Sequence, residues 1–169
     1  MSFRVRQLGP EDVGPMSAML TMFGEAFEDP EQYGVRPGEA YLRKLLSRDD
    51  FIALAASDGD VVVGGIAAYV LDKFERERSE VYIYDLAVAG THRRRGIATA
   101  MINALRRIAG GRGAHVIFVQ ADHGDEPAIA LYTSLGRRED VLHFDIEVEA
   151  PDERAPPASP KKLSSLLDR

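Results

Sequence analysis

Two stretches of this sequence carry side chains that could do chemistry. The first is Arg93-Arg94-Arg95-Gly96-Ile97-Ala98-Thr99, which opens a helix directly after a β-rich run ending Leu86-Ala87-Val88. A helix N-terminus presents unpaired backbone N–H groups and the positive end of its dipole, and together these suit a pyrophosphate. Gly96 lets the backbone approach phosphates with no Cβ in the way. The same residues also fit a basic helix start that makes surface ion pairs. The second stretch centres on Asp85. In a strand over 81–87 the odd positions Val81, Ile83, Asp85 and Ala87 share one face, so a carboxylate interrupts an apolar row. Such a group is costly to bury unless it is paired or used, and burial raises its pKa toward that of a useful base. The alternative is a structural Asp that caps a loop or pairs with an arginine.

Composition narrows what these residues can serve. The chain has 169 residues, enough for one domain with a single core, and no cysteine. Thiolate zinc sites, disulfides and a cysteine nucleophile are therefore excluded. His92, His115, His123 and His143 have no helical metal spacing, so no metal is expected. With 27 acidic against 21 basic side chains the net charge is -6, which favours a cationic small molecule over nucleic acid as partner. The N-terminus lacks the apolar core of a signal peptide and no run approaches a membrane span, so a soluble cytoplasmic protein is expected.

The elements that must position these residues follow from periodicity. Phe3 to Gln7 alternates as a half-buried strand, a helix is expected to begin near Pro10 or at Gly14-Pro15, and Met16, Met19, Leu20, Phe23 and Phe27 recur at helical spacing between Val13 and Phe27. Asp29 to Gly38 is turn-rich, and Leu42, Leu45 and Leu46 mark a short helix. Phe51 to Ala56 and Val61 to Leu71 form a hairpin around Asp58-Gly59-Asp60, with Glu80 to Val88 as the next strand. A helix over His92 to Ala109, a strand over His115 to Ala121, a helix from Pro127 to Leu135 and a last strand over Val141 to Val148 complete the series. The pattern predicts an α/β fold with a mixed, mostly antiparallel sheet and helices on both faces. Residues 1–149 are expected to form the domain, and 150–169 a Pro-rich tail docked on something.

The order of Leu-Ala-Val strand, Arg-x-x-Gly-x-Ala loop and apolar helix resembles the GNAT superfamily of acyl-CoA-dependent N-acyltransferases. The resemblance implies that the loop from Arg93 through Arg94, Arg95, Gly96, Ile97 and Ala98 to Thr99 holds the pyrophosphate of acetyl-coenzyme A. It also implies a bulged strand whose Leu86, Ala87 and Val88 bind the pantetheine. Ala128-Ile129-Ala130-Leu131-Tyr132 resembles the family's helix in which a tyrosine lies beside the coenzyme sulfur. Tyr132 would then donate a proton to the leaving thiolate, a phenol of pKa ~10 being a plausible match. Its other reading is a ring packed at a helix end. Because an amine attacks a thioester only when neutral, Asp85 leads as the group that accepts its proton.

Phe51 to Ala56, Ser79 to Val88, Val119 to Asp122 and His143 to Ile146 resemble the class I aminoglycoside 3-N-acetyltransferases, a likeness running through most of the chain to Ile146. It implies acetyl transfer to the 3-amino group of gentamicin-like antibiotics, which are polycations. Glu80, Tyr84, Asp122 and Asp125 are the substrate-binding candidates, although the three carboxylates also fit a solvated acidic rim. Arg137 to Asp140 is too short and polar for the first of two terminal strands. A second subunit could complete the last strand, and a homodimer is expected. Alternatives are an acetyltransferase for a polyamine, an amino sugar or a protein N-terminus, and a non-catalytic acyl-CoA sensor.

Overall fold

The computed structural model describes residues 3–149. Five strands, β1 (Phe3–Gln7), β2 (Phe51–Asp58), β3 (Val61–Asp72), β4 (Ser79–Val88) and β5 (Ala114–Val119), lie in that order in one sheet. All neighbours are antiparallel except β4 and β5, which are parallel because α4 (Ile97–Gly111) crosses between them. The other helices are α1 (Val13–Phe27), α2 (Pro30–Gly34), α3 (Glu39–Leu46) and α5 (Glu126–Leu135).

Strand β2 shows why both faces are covered. Its first six residues are all buried. Ile52, Leu54 and Ala56 join Met101 and Leu105 of α4 on one side. Phe51, Ala53 and Ala55 join Met19 and Phe23 of α1 and Leu42 of α3 on the other. Apolar side chains alternating into two separate cores leave this strand no solvent face, so its register is firmly set. Leu131, Tyr132 and Leu135 of α5 pack against the α4-side core.

Three expectations need correction. The helix expected from His92 starts five residues later, at Ile97, after a single 3₁₀ turn over Gly90–His92. Arg94 at φ 60° and Gly96 at φ 77° take left-handed backbone, which ends the first turn and makes 93–96 a loop. The turn-rich segment after α1 contains a short helix, α2, where Asp29 accepts a hydrogen bond from the Gln32 amide and Pro30 fills the first position. The last strand expected over Val141 to Val148 does not form. Residues 137–149 have no helix or strand, and Leu142, Phe144, Ile146 and Val148 are at least 76% exposed. An alternating pattern defines which face would be apolar, but a strand needs a partner edge to satisfy its amides. Internal contacts divide the chain into Met1–Gly136 and Arg137–Arg169. The tail of 150–169, expected to be docked, lies outside the described residues. No helix among the described residues is long and apolar enough to cross a membrane.

Candidate active site

Strand β4 changes character halfway along. From Ser79 to Ile83 it pairs with β5, and that pairing stops at Ile83 opposite Val119. From Asp85 to Val88 it keeps only β3 as a ladder partner, with Leu86, Ala87 and Val88 opposite Ile66, Gly65 and Gly64. The backbone edge facing away from β3 is thus left without a strand where the two parallel strands part.

A bulge marks the same point. Asp85 pairs with Ala67 and Ile83 with Ala68, so Tyr84 is an extra residue with no partner on β3. The extra residue reverses the side-chain alternation. Val81 and Ile83 face the α4-side core, as do Leu86 and Val88, whereas Ala87 belongs to the α1-side core. Asp85 reaches Tyr33 on the α1 side. The expectation that Val81, Ile83, Asp85 and Ala87 share one face is therefore corrected: the bulge moves Asp85 and Ala87 to the opposite side of the sheet. There Asp85 joins Tyr84 and Tyr82 instead of interrupting an aliphatic row.

The surroundings of Asp85 are aromatic. Phe51, Tyr69, Tyr84, Tyr82 and Phe118 form a row of rings across β2, β3, β4 and β5, with successive centroids 5.2, 5.9, 5.8 and 4.8 Å apart. Tyr84 is 58% exposed and forms the open part of this row. The Tyr33 hydroxyl donates to Asp85 Oδ2 at 2.9 Å. Burial pushes the Asp85 carboxyl above its ordinary value, and the Tyr33 hydrogen bond opposes that rise. Sequence reasoning missed Tyr33, which stands 52 positions from Asp85 in a segment read only as turns.

Tyr132 lies against the other face of the sheet, in the α4-side core with Leu86 and Val88. Burial, helped by the negative charge of Asp125, pushes its phenol up to about 12, so it holds its proton at neutral pH. Asp125 caps α5 by accepting from the Ala128 amide at 3.2 Å, and the Asp122 carbonyl accepts from the Asp125 amide. Glu80 stands at the far end of β4, roughly 16 Å along the strand from Asp85 at ~3.3 Å per residue. Its carboxylate lies 3.4 Å from Lys73 Nζ and 3.5 Å from His115 Nε2. Tyr84 thus stands in the Asp85 neighbourhood, whereas Glu80 lies at the other end of the strand.

The loop before α4 turns the helix start toward the open end of β4. Arg93 Nε donates to the Val88 carbonyl at 3.3 Å, tying the loop to the end of the strand. Gly96 is the N-cap and offers no side-chain acceptor, so the first-turn amides keep their hydrogen-bonding capacity for a ligand. An added Cβ at Gly96 would meet no atom within 4 Å, which leaves the approach open. Among the described residues no group of three or more metal-ligating side chains comes together.

The acetyltransferase (GNAT) family model matches residues 17–136, a span that holds the bulge, the loop and α5. An aminoglycoside acetyltransferase from an uncultured soil metagenomic sample is 61% identical. The match covers 88% of this chain and all of that one, at a TM-score of 0.86. A second such enzyme from soil metagenomic DNA, solved in complex with sisomicin, is 30% identical over 87% of this chain and 97% of its own, with a TM-score of 0.82. The uncharacterized N-acetyltransferase YhfO of Bacillus subtilis strain 168 is 22% identical over 86% of this chain and 98% of its own. A parting β4/β5 pair, a bulged strand and a glycine-capped helix, in a chain matched by that model over these same elements, make the protein a member of the acetyltransferase (GNAT) family, an acetyl-CoA-dependent acetyltransferase.

Proposed function

We propose that the protein is an aminoglycoside 3-N-acetyltransferase. The observation that carries this reading is Asp85, a half-buried carboxylate with no cation paired to it among the described residues, set among tyrosine rings at the bulge of β4. An anionic group walled by aromatic faces suits an ammonium group, which gains both charge pairing and cation–π attraction. The net charge of -6 adds a long-range pull on a polycation. The likeness to two aminoglycoside acetyltransferases, one bound to sisomicin, supports the same substrate class.

In this mechanism the amides at the start of α4, Arg94 to Ala98, hold the coenzyme pyrophosphate. The free edge of Leu86, Ala87 and Val88 holds the pantetheine. Asp85 offsets the charge of the incoming ammonium and takes its proton. The neutral nitrogen attacks the thioester carbonyl and the C–N bond forms; the C–S bond breaks as Tyr132 gives its proton to the departing sulfur. The second proton that the nitrogen sheds returns to the Tyr132 phenolate through water, and the first leaves Asp85 for solvent. Base and acid sit on opposite faces of one strand, either side of the opening between β4 and β5.

The deciding experiment incubates the enzyme with acetyl-CoA and gentamicin, kanamycin or spermidine, followed by mass spectrometry and NMR of any product. Acetylation of the deoxystreptamine 3-amino group is expected. Product from spermidine alone, or at another amine of the antibiotic, overturns the assignment. We further read the working form as a cytoplasmic homodimer with Val141–Val148 at or near its interface, where the exposed Leu142, Phe144, Ile146 and Val148 would be covered. Light scattering that shows a monomer at working concentration refutes this.

A further inference from the structure

Tyr33 reaches Asp85 from outside the sheet, and it is held there by more than its hydroxyl. Its ring packs edge-on against Phe23 at 6.1 Å and beside Phe27 at 5.7 Å, both on α1. Helix α2, which carries it, is capped by Asp29 and started by Pro30. Gly24 lets the two helices close: a Cβ there would lie 3.0 Å from the Tyr33 Cβ, too near for both to stay in place. The hydroxyl donates to Oδ2 of Asp85, while Oδ1 has no hydrogen bond within the described residues.

Resting on the reading of Asp85 as the base, we propose that Tyr33 is a positioning residue for the transfer. It fixes the carboxylate through Oδ2 so that Oδ1 faces the incoming amine, and it keeps that carboxylate ionised in a half-buried aromatic site. A base in such a site has two weaknesses. Burial favours its neutral form, which cannot take a proton, and a free carboxylate rotates about χ2. One hydrogen bond from a neutral donor addresses both without a cation that would repel the substrate ammonium. The titratable neighbours fit this division. The rings of Tyr69 of β3 and Tyr82 and Tyr84 of β4 face the same space, and Asp29, at the start of α2, adds negative charge. Burial and the nearby Asp85 push the Tyr33 phenol well above its ordinary range, so it remains a donor across the working pH.

The test compares pH–rate profiles of wild type, Tyr33→Phe and Asp85→Asn with gentamicin and acetyl-CoA. Tyr33→Phe keeps the ring and its packing and removes only the donor. Its acidic limb is expected to move up by about one pH unit, the scale of a hydrogen bond to a charged group. Turnover falls at every pH through lost orientation, and the KM for acetyl-CoA stays as in wild type. NMR titration of the Asp85 carboxyl in the folded protein should show the same upward move without any turnover. If the limb and the NMR titration both stay in place in Tyr33→Phe while Asp85→Asn abolishes the limb, Tyr33 has only a packing role and Asp85 remains the base. If Asp85→Asn itself leaves the limb unchanged, the base assignment fails and the positioning role falls with it.

Discussion

Two carboxylates on one strand make the sharpest contrast in the molecule. Glu80 lies in the half of β4 that pairs with β5, between Lys73 and His115, its charge met by the lysine ammonium. Asp85 lies past the bulge, where β5 has stopped, among rings and one phenol donor. The first carboxylate is already satisfied, and a substrate ammonium would have to displace a lysine to reach it. The second is held by a neutral group and raised by burial, so it gains most from a cation that arrives from solution. One inserted residue, Tyr84, turns the strand over so that Asp85 leaves the aliphatic row and faces the rings, and the end of β5 at the same point sets its surroundings apart from those of Glu80.

Asp85→Asn should break the contrast most severely. It keeps the shape but cannot accept a proton, so turnover with gentamicin should drop by about 10²-fold or more while acetyl-CoA affinity holds. Stability should move the other way. The folded-state pKa of Asp85 lies above its ordinary 3.8, so its contribution to stability is complete below that value and is lost as pH rises through the folded pKa. At neutral pH the Asn variant should therefore melt higher than wild type, and that gain should vanish below about pH 3.8. Calorimetry across pH, set beside the rate assay, separates a functional carboxylate from a structural one: a structural Asp would lower the melting temperature when replaced.

On the opposite face, Tyr132→Phe should cost less, about tenfold in turnover, because a thiol of pKa ~8.5 leaves tolerably well without an acid. The KM for acetyl-CoA should change little. A Phe variant with wild-type turnover would reduce Tyr132 to its packing against the α4-side core. Gly96→Val should act on binding instead of chemistry. No protein atom blocks the new side chain, but φ 77° forces a β-branched residue into left-handed backbone at a cost of about 1–2 kcal/mol. Coenzyme affinity by calorimetry should fall several-fold, and unchanged affinity in a folded variant would move the pyrophosphate away from this loop.

How much of this was legible depends on how local the cause was. The hairpin at Asp58-Gly59-Asp60 and the α1 stripe follow from turn chemistry and periodicity within a few residues, and both formed as expected. The start of α4 was misjudged because Arg94 adopts φ 60°, a conformation its side chain does nothing to announce. The face of Asp85 was misjudged because strict alternation assumes no bulge, and the bulge at Tyr84 depends on the register with β3. Asp85 emerged as a candidate even so, since a carboxylate in a strongly apolar strand is conspicuous on either face. Tyr33 was invisible for a different reason: its hydrogen bond closes a loop of 52 positions, and nothing in Pro30 to Gly34 points at β4.

Glu80→Gln is the smallest expected effect and the most direct check on the contrast itself. Glu80 carries the same charge as Asp85 on the same strand, and its place at the strand entrance made it a substrate-binding candidate. Its partners say otherwise. With Lys73 at 3.4 Å and His115 at 3.5 Å, the side chain is committed to the β3–β4 loop and the start of β5. Partly exposed pairs of this kind contribute ~0–1 kcal/mol, so neutralising Glu80 should lower the melting temperature by about two to four degrees at most. Turnover and the KM for gentamicin should stay within about twofold of wild type, because no step at the bulge uses this group. A large rise in the gentamicin KM without loss of stability would mean that the antibiotic reaches down the paired half of β4, displacing Lys73 from Glu80. The amine site would then extend along the whole strand, and the bulge would no longer divide a structural carboxylate from a catalytic one.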